Sequence, residues 1–275
     1  MSKNLKKNLR NKEISLESPA KLNLFLRILN KREDGYHDIA SLFVKIKLCD
    51  YLSIQISDKD QFICDIPNLL ISDNLVIKAR DLFRKETGIV IPLAIRLTKR
   101  IPIGAGLGGG SSNAATTLLG LNQLFKSPLD QEKLRDMGSA IGSDVSFFFT
   151  KKPTFCTGRG EILNSVDLDV ARPLWIAKPQ NLSLSTAKVY QNCKPNEASS
   201  EDPRRILQSF LEKDPIYVND LEPAAFRLLP QLASIKQKIQ SLGFQSVTMT
   251  GSGTSFFCFG YVPRPKLEGI DFIVI

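Results

Sequence analysis

The chain has 275 residues, 43% of them hydrophobic and 24% charged, with a formal net charge of +9. That length predicts one large or two moderate domains, each with its own core, and the composition excludes disordered and fibrous classes. No apolar run approaches the roughly 20 residues of a membrane span, and five scattered cysteines without C-x-x-C spacing indicate neither a disulfide framework nor a zinc site.

A reducing, cytoplasmic setting is therefore expected. Lys3, Lys6, Lys7, Arg10 and Lys12 against Glu13 leave +4 of the charge in residues 1–13, which read as a solvated basic tail lacking the apolar core of a signal peptide. The other +5 is modest and suits the steering of anionic small molecules. No aromatic-interleaved basic strand of the RNA-recognition type is present, so nucleic acid is not an expected partner.

From Ser18 the chain alternates, with Ala20, Leu22, Leu24, Leu26 and Ile28 on one face and Lys21, Asn23, Phe25 and Arg27 on the other. Lys21 and Asn23 thus point the same way, on a face that by itself reads equally well as solvated. The charged turn N-K-R-E-D-G-Y-H-D follows, presenting Tyr36 and the only histidine, His37; a lone turn histidine is ordinarily exposed and idle. The apolar pattern of Leu42–Leu48 follows this turn, and Tyr51–Ile56 reads as a strand. Next comes a helix with a polar start near Asn74 and a glycine, Gly88, at its end.

Leu93–Thr98 is a further strand, leading into K-R-I-P-I-G-A-G-L-G-G-G-S-S-N, residues 99–113. Five glycines, Gly104, Gly106, Gly108, Gly109 and Gly110, exceed what a turn needs and let backbone N–H groups converge on an anion. Ser111, Ser112 and Asn113 then open a helix whose N-terminus favours the same charge. No Lys-Ser or Lys-Thr pair follows, so the loop is not of the Walker type. Gly104, Gly106 and Gly109 satisfy G-x-G-x-x-G, but Asp130, the candidate ribose acid, sits in a helix-capping context, which demotes a nicotinamide-dependent oxidoreductase.

Ala114, Ala115, Leu118, Leu119 and Leu121 mark the core side of the helix after the loop. A second helix is predicted over Gln131–Ala140, and I-G-S-D-V-S-F-F-F is expected to drop into a buried strand with Asp144 at the junction. The texture changes beyond Lys151, which sets the predicted domain boundary, 1–152 against 153–275. T-G-R-G-E (157–161) is a second glycine turn, 194–205 a polar loop, and helical patterns cover Arg204–Glu212, Ala224–Leu229 and Leu232–Leu242. Gly251 and Gly253 lie between two apolar runs of 247–260, as in a hairpin.

S-P-A-K-L-N, P-x-x-x-G-L-G-G-G-S-S at 102–112 and T-G-S-G-T at 250–254 occur in the order seen in the GHMP kinase superfamily, which this chain resembles. Within it, D-G-Y-H, D-N-L, G-S-D-V and N-D-L-E-P-A are similar to the kinases acting on a methylerythritol that carries a cytidine diphosphate, in the non-mevalonate route to isoprenoid precursors. The resemblance implies an α+β, two-domain GHMP kinase fold: a ribosomal S5 domain-2-like N-terminal half, a ferredoxin-like C-terminal half, and the active site between. It implies ATP and Mg²⁺, a small-molecule cytidine diphosphate substrate phosphorylated on its 2-hydroxyl, and a monomer or weak homodimer.

The same resemblance implies the roles. Lys21 and Asp144 match the catalytic pair: a carboxylate to accept the hydroxyl proton and an ammonium to keep it ionised. Pro102, Ile103, Gly104, Ala105, Gly106, Leu107, Gly108, Gly109, Gly110, Ser111 and Ser112 match the ATP-phosphate loop. Lys99, Asn74 and Leu75 match the adenosine side, and Ser112 is the expected Mg²⁺ ligand. Tyr36 and His37 match the residues holding the cytosine, Asn23 helps position the substrate, and Gly251, Ser252, Gly253 and Thr254 match the motif facing its phosphates. Tyr190 is a possible aromatic partner to which no role is assigned, and neither is the terminal D-F-I-V-I. A homoserine- or mevalonate-type kinase is the alternative within the superfamily.

Overall fold

Local side-chain chemistry sets several helix ends in the computed structural model, which describes residues 12–66, 69, 73–170, 174–194 and 197–275. Residues 1–11 of the expected basic tail, Pro173 and residues 195–196 of the expected polar loop lie outside the described residues. Contacts divide the chain into two units, and two long strands, β1 (Glu13–Lys31) and β2 (His37–Ile56), each contribute a part to both. Unit 1 comprises 1–20, 47–101 and 108–151; unit 2 comprises 21–46, 102–107 and 152–275.

In unit 1, β3 (Gln61–Cys64) runs parallel to β4 (Leu93–Thr98), with Gln61 opposite Ala94. A parallel pair needs a crossover, and α1 (Leu75–Thr87) lies between the two in the chain. Asn74 caps α1 by accepting the Val76 N–H at 2.9 Å, and Gly88 ends it at φ +70°. The second half of β2 joins β4 on its other side, antiparallel, from Tyr51 opposite Thr98 to Ile56 opposite Leu93. α2 (Gly109–Leu124) packs against these strands, and α3 (Gln131–Ile141) packs on α1 and α2, capped by Asp130, which accepts the Lys133 N–H at 2.8 Å. Asp130 is thus committed to a helix end, which removes the ribose acid a dinucleotide site would need.

The core of unit 1 is built from Leu52, Ile54, Val76, Ala79, Phe83, Ile95, Ala114, Ala115, Leu118 and Leu121. Gly120 is what lets α2 approach β2, since a Cβ there would stand 2.9 Å from Ile54 Cδ1. Two expectations fail here. Leu119, placed in the core by spacing, is 39% exposed. The run after Asp144 is a single 3₁₀ turn, Ser146–Phe149, rather than a strand; its rings Phe147 and Phe148 are buried edge to face at 5.3 Å, and a short apolar run fits either backbone.

In unit 2 the first half of β2 pairs with β5 (Thr154–Thr157), which forms a hairpin with β6 (Ile162–Ser165) through the expected glycine turn. The reverse face of β1 is not solvated as its alternation allowed: Lys21, Asn23, Phe25 and Arg27 are all buried, and Phe25 lies 6.2 Å from Phe155 and 6.0 Å from Phe210. A second, wholly antiparallel sheet has the order β10-β7-β9-β8, from β7 (Leu174–Pro179), β8 (Ser246–Met249), β9 (Phe256–Phe259) and β10 (Ile270–Val274). The 247–260 hairpin is as expected, whereas β10, the segment without an assigned role, is the edge strand on β7. α4 (Thr186–Gln191), α5 (Pro203–Leu211), α6 (Glu222–Leu228) and α7 (Gln231–Gln240) complete the unit. Val189, Leu221, Ala225, Leu232 and Ile239 share one core with Leu26, Ala177, Val247, Met249 and Phe256. No described helix is long and apolar enough to cross a membrane.

One ion pair gives unit 1 a defined acid sensitivity. Arg84 grips Asp60 with two hydrogen bonds of 2.7 Å, and the Leu93 N–H adds a third at 2.9 Å. Chiefly through Arg84, the Asp60 carboxyl is held down at about 2. An unfolded aspartate titrates near ~3.9, so the stabilisation is present above that pH and is lost as pH falls through 2. Melting temperature between pH 4 and pH 2 should fall less steeply in Asp60→Asn than in wild type; equal slopes would contradict the assignment.

Candidate active site

The glycine-rich loop is held by its own backbone. In unit 2, Leu107 accepts the Lys21 N–H at 2.9 Å, so the loop is tied directly to the strand carrying the expected catalytic lysine. Gly106, at φ +75°, passes so close to the 250–254 turn that a Cβ would stand 2.1 Å from the Thr250 carbonyl oxygen and 3.1 Å from that of Gly253. Any side chain at 106 would therefore push the two glycine motifs apart. Ile103 and Gly104 are exposed, Pro102 is half-buried and Ala105 is buried. A Cβ on Gly104 would stand 3.2 Å from Ser183 Cβ.

The rest of the loop belongs to unit 1, where Gly108 at φ +68° starts α2 without a side-chain cap. No acidic residue occupies the first turn, and the N–H groups of a first turn lack intrahelical partners. Gly108, Gly109 and Ser111 are half-buried and Gly110 is exposed, so this positive helix end is accessible to an anion. Leu75 Cδ1 lies 3.7 Å from the Cβ position of Gly110, placing the start of α1 beside it, while Asn74 is occupied in capping α1.

Beneath that end lies a polar network that the sequence did not announce. Asp50, 0% exposed, accepts the N–H groups of Arg100 at 2.7 Å and Ile101 at 2.8 Å, the Asn113 side-chain N–H at 2.9 Å, and the Lys99 ammonium. Lys99 also donates to Asn113 Oδ1 at 3.0 Å, so its ammonium is committed to the segments flanking the loop. Asn113 reaches Ser18, whose hydroxyl donates to Ser112 Oγ at 2.9 Å. Four charge-assisted bonds to one buried carboxylate fix where the loop begins and ends. Asp144, also of unit 1, is half-buried in the turn between α3 and the 3₁₀ turn.

Unit 2 gathers the remaining expected residues. Lys21 Nζ donates to Asn23 Oδ1 at 2.6 Å and lies 4.7 Å from the Phe43 ring centroid. Asn23 in turn donates to Ser41 Oγ at 2.9 Å, and its backbone N–H meets Thr250 Oγ1 at 3.2 Å. This orients the lysine with polar and aromatic contacts rather than leaving it to solvent. Ser252 shares a 2.9 Å hydrogen bond with Thr186, and Thr254 is fully buried. The two members of the expected catalytic pair, Lys21 and Asp144, fall in different units.

His37 departs from the idle turn histidine: it is only 8% exposed, and its Nδ1 is buried with no hydrogen-bond partner among the described residues. Such an atom is costly to leave unsatisfied unless something else pairs with it. Its ring lies 5.5 Å from that of Tyr190 on α4, and Tyr36, 54% exposed, lies under the Arg159 guanidinium at 4.9 Å. Burial, with a smaller contribution from Lys31, lowers the His37 pKa below its usual value, so the ring is neutral at neutral pH. Sequence reading thus missed Asp50, Ser18 and Arg159, and named Tyr190 only as a possible aromatic partner. Nothing local marks Asp50, which stands among two lysines and alternating apolar residues in K-I-K-L-C-D-Y-L.

Three comparisons bear on this arrangement. The family model of the GHMP kinase N-terminal domain matches residues 74–152. A 4-diphosphocytidyl-2-C-methyl-D-erythritol kinase of Protochlamydia amoebophila is 47% identical over 251 residues, 90% of this chain and 84% of the relative. The chloroplastic enzyme of that name from Arabidopsis thaliana is 41% identical over 267 residues, 92% of this chain and 69% of the relative. The crystal structure of a 4-(cytidine 5'-diphospho)-2C-methyl-D-erythritol kinase superposes with a TM-score of 0.77 at 34% identity, covering 91% of each chain. The fold, the two glycine motifs in contact and near-full-length identity lead to one assignment: the chain belongs to the 4-diphosphocytidyl-2-C-methyl-D-erythritol kinase family of GHMP kinases.

Proposed function

We propose that the protein transfers the γ-phosphoryl group of ATP to the 2-hydroxyl of 4-diphosphocytidyl-2-C-methyl-D-erythritol, giving the 2-phosphate and ADP on the route to isoprenoid precursors. The geometric observation that carries this reading is the buried Nδ1 of His37, without a hydrogen-bond partner among the described residues, beside the Tyr190 ring, in a chain whose relatives bear that activity as their name. A neutral imidazole can hydrogen-bond the polar edge of a cytosine, and aromatic rings can cover its faces. The end of the family match at residue 152 supports a division into an ATP-binding part, 1–152, and a second domain, 153–275. Five free cysteines fit a reducing cytoplasm.

In this reading the loop amides and the start of α2 hold the ATP phosphates, and Asp144 accepts the proton as the substrate oxygen attacks the γ-phosphorus. The new O–P bond forms as the bond to the β,γ-bridging oxygen breaks, and ADP leaves with that electron pair. Lys21, fixed by Asn23 and Phe43, offsets the charge that builds up. Asn23 and the Gly251, Ser252, Gly253, Thr254 turn position the acceptor. Mg²⁺ belongs to the reading as the ion of MgATP. Ser112, the expected ligand, is fully buried and already accepts from Ser18, and the described residues contain no cluster of three His, Cys, Asp or Glu side chains. They do not fit an ion caged by the protein; a hard cation taking its oxygens from phosphate and water needs no cage.

Purified protein should release ADP only when ATP and 4-diphosphocytidyl-2-C-methyl-D-erythritol are both present, with CDP competing against the acceptor. ADP formation with homoserine or mevalonate instead, unaffected by CDP, would transfer the reading to another alcohol kinase. Asp144→Asn should lower kcat by about 10²–10⁴ while KM for ATP changes little; near-normal turnover would remove Asp144 from the chemistry. Because only the neutral His37 ring can accept a hydrogen bond, KM for the cytidine substrate should rise as pH falls through the lowered His37 pKa, below the usual imidazole value. That rise should vanish in His37→Asn, and its persistence there would contradict the cytosine contact.

A further inference from the structure

Lys178, the penultimate residue of β7, is 8% exposed, and lysines are seldom buried without a counter-charge. Its ammonium has three hydrogens and three oxygen partners: the carbonyls of Pro179, at 3.0 Å, and Leu182, and the Thr254 hydroxyl at 2.6 Å. Thr254 passes its own hydrogen to the Leu182 carbonyl at 3.0 Å. None of these partners is a carboxylate. Asp271, opposite Lys178 on β10, instead accepts from Gln180 Nε2 at 2.6 Å. Burial, partly offset by the charge of Asp271, lowers the Lys178 pKa from the ordinary lysine value.

For stability alone this is a poor design, since desolvating an ammonium against neutral oxygens costs more than filling the same volume with methionine. The arrangement makes sense in terms of what the three oxygens belong to. Thr254 closes the second glycine motif, and Leu182 opens the segment that runs to Tyr190. Along that segment Ser183 packs at Gly104, Thr186 bonds Ser252, and Tyr190 faces His37. One cation therefore joins the turn to the segment that bears the aromatic ring beside the base-contacting histidine.

We propose that Lys178 is a positioning residue for the acceptor substrate: it docks the Leu182–Tyr190 segment on the Thr250–Ser255 turn, and its charge, unopposed by a hydrogen-bonded carboxylate, favours the substrate's diphosphate there. The inference rests on the substrate-facing role of that turn given under Proposed function. It requires no chemical step by Lys178, only that the segment and the field be in place before the acceptor arrives.

The test compares Lys178→Met, Lys178→Gln and Lys178→Arg with wild type, in turnover and in direct binding of CDP by calorimetry. Lys178→Met should raise KM for the cytidine substrate and the CDP dissociation constant about 10-fold or more, with kcat within about 3-fold and KM for ATP within about 2-fold. Lys178→Arg, which keeps the charge, should recover most of the loss, and Lys178→Gln should not. Fluorescence of Trp175, the single tryptophan and a β7 residue, reports whether the fold survives; if the methionine variant unfolds, the glutamine and arginine variants decide. Unchanged acceptor KM, equal rises for both substrates, or full function in Lys178→Gln would each overturn the proposal. Wild type that binds CDP but does not turn over the acceptor would fail the proposed function; the CDP arm would still decide the role of Lys178, and wild type that binds no CDP would end both.

Discussion

The point on which the rest of this protein depends is the near-contact of Gly106 with the Thr250 carbonyl, where a Cβ would stand only 2.1 Å from the oxygen. A glycine there lets one backbone seat itself in another, and the seat is reinforced by the Lys21 N–H on Leu107 and the Asn23 N–H on Thr250. At Gly106 the loop's shape is therefore imposed by main-chain packing. This leaves amide groups to serve an anion, which is how backbone-built phosphate cradles work in general.

The second constraint is electrostatic and lies in unit 1. Asp50 gathers the segment before the loop and the first turn of α2 onto one buried carboxylate. Removing one member of so buried a pair leaves an uncompensated charge, at a cost of roughly 3–5 kcal/mol. The same network explains why Lys99 and Ser112, each expected at a ligand, are occupied with protein partners. Both residues shape the site from below.

How much of this could be read beforehand followed from how local each determinant is. Asn74, Gly88 and Asp130 bond backbone within a few residues of themselves, so their caps were legible. The glycine motifs were legible because five glycines in seven positions have few other uses. The 3₁₀ turn at 146–149 was misread since three consecutive phenylalanines carry no period. Short strands such as β5 and β10 declare themselves only through partners far along the chain, Phe155 against Leu42 and Phe272 against Ala177. His37, Asp50 and Lys178 were opaque for the same reason: their burial is decided by residues far along the chain, including Tyr190, Asn113 and Thr254.

The site described in this way is a pair of interlocked glycine turns, an oriented lysine and the His37 and Tyr190 rings 5.5 Å apart. Its central claim is group transfer to one hydroxyl rather than hydrolysis of ATP. Phosphorus NMR of the protein with ATP and 4-diphosphocytidyl-2-C-methyl-D-erythritol tests that most directly. The account predicts a new phosphomonoester resonance growing in step with ADP while the cytidine diphosphate signals persist. ADP accompanied only by inorganic phosphate would contradict it.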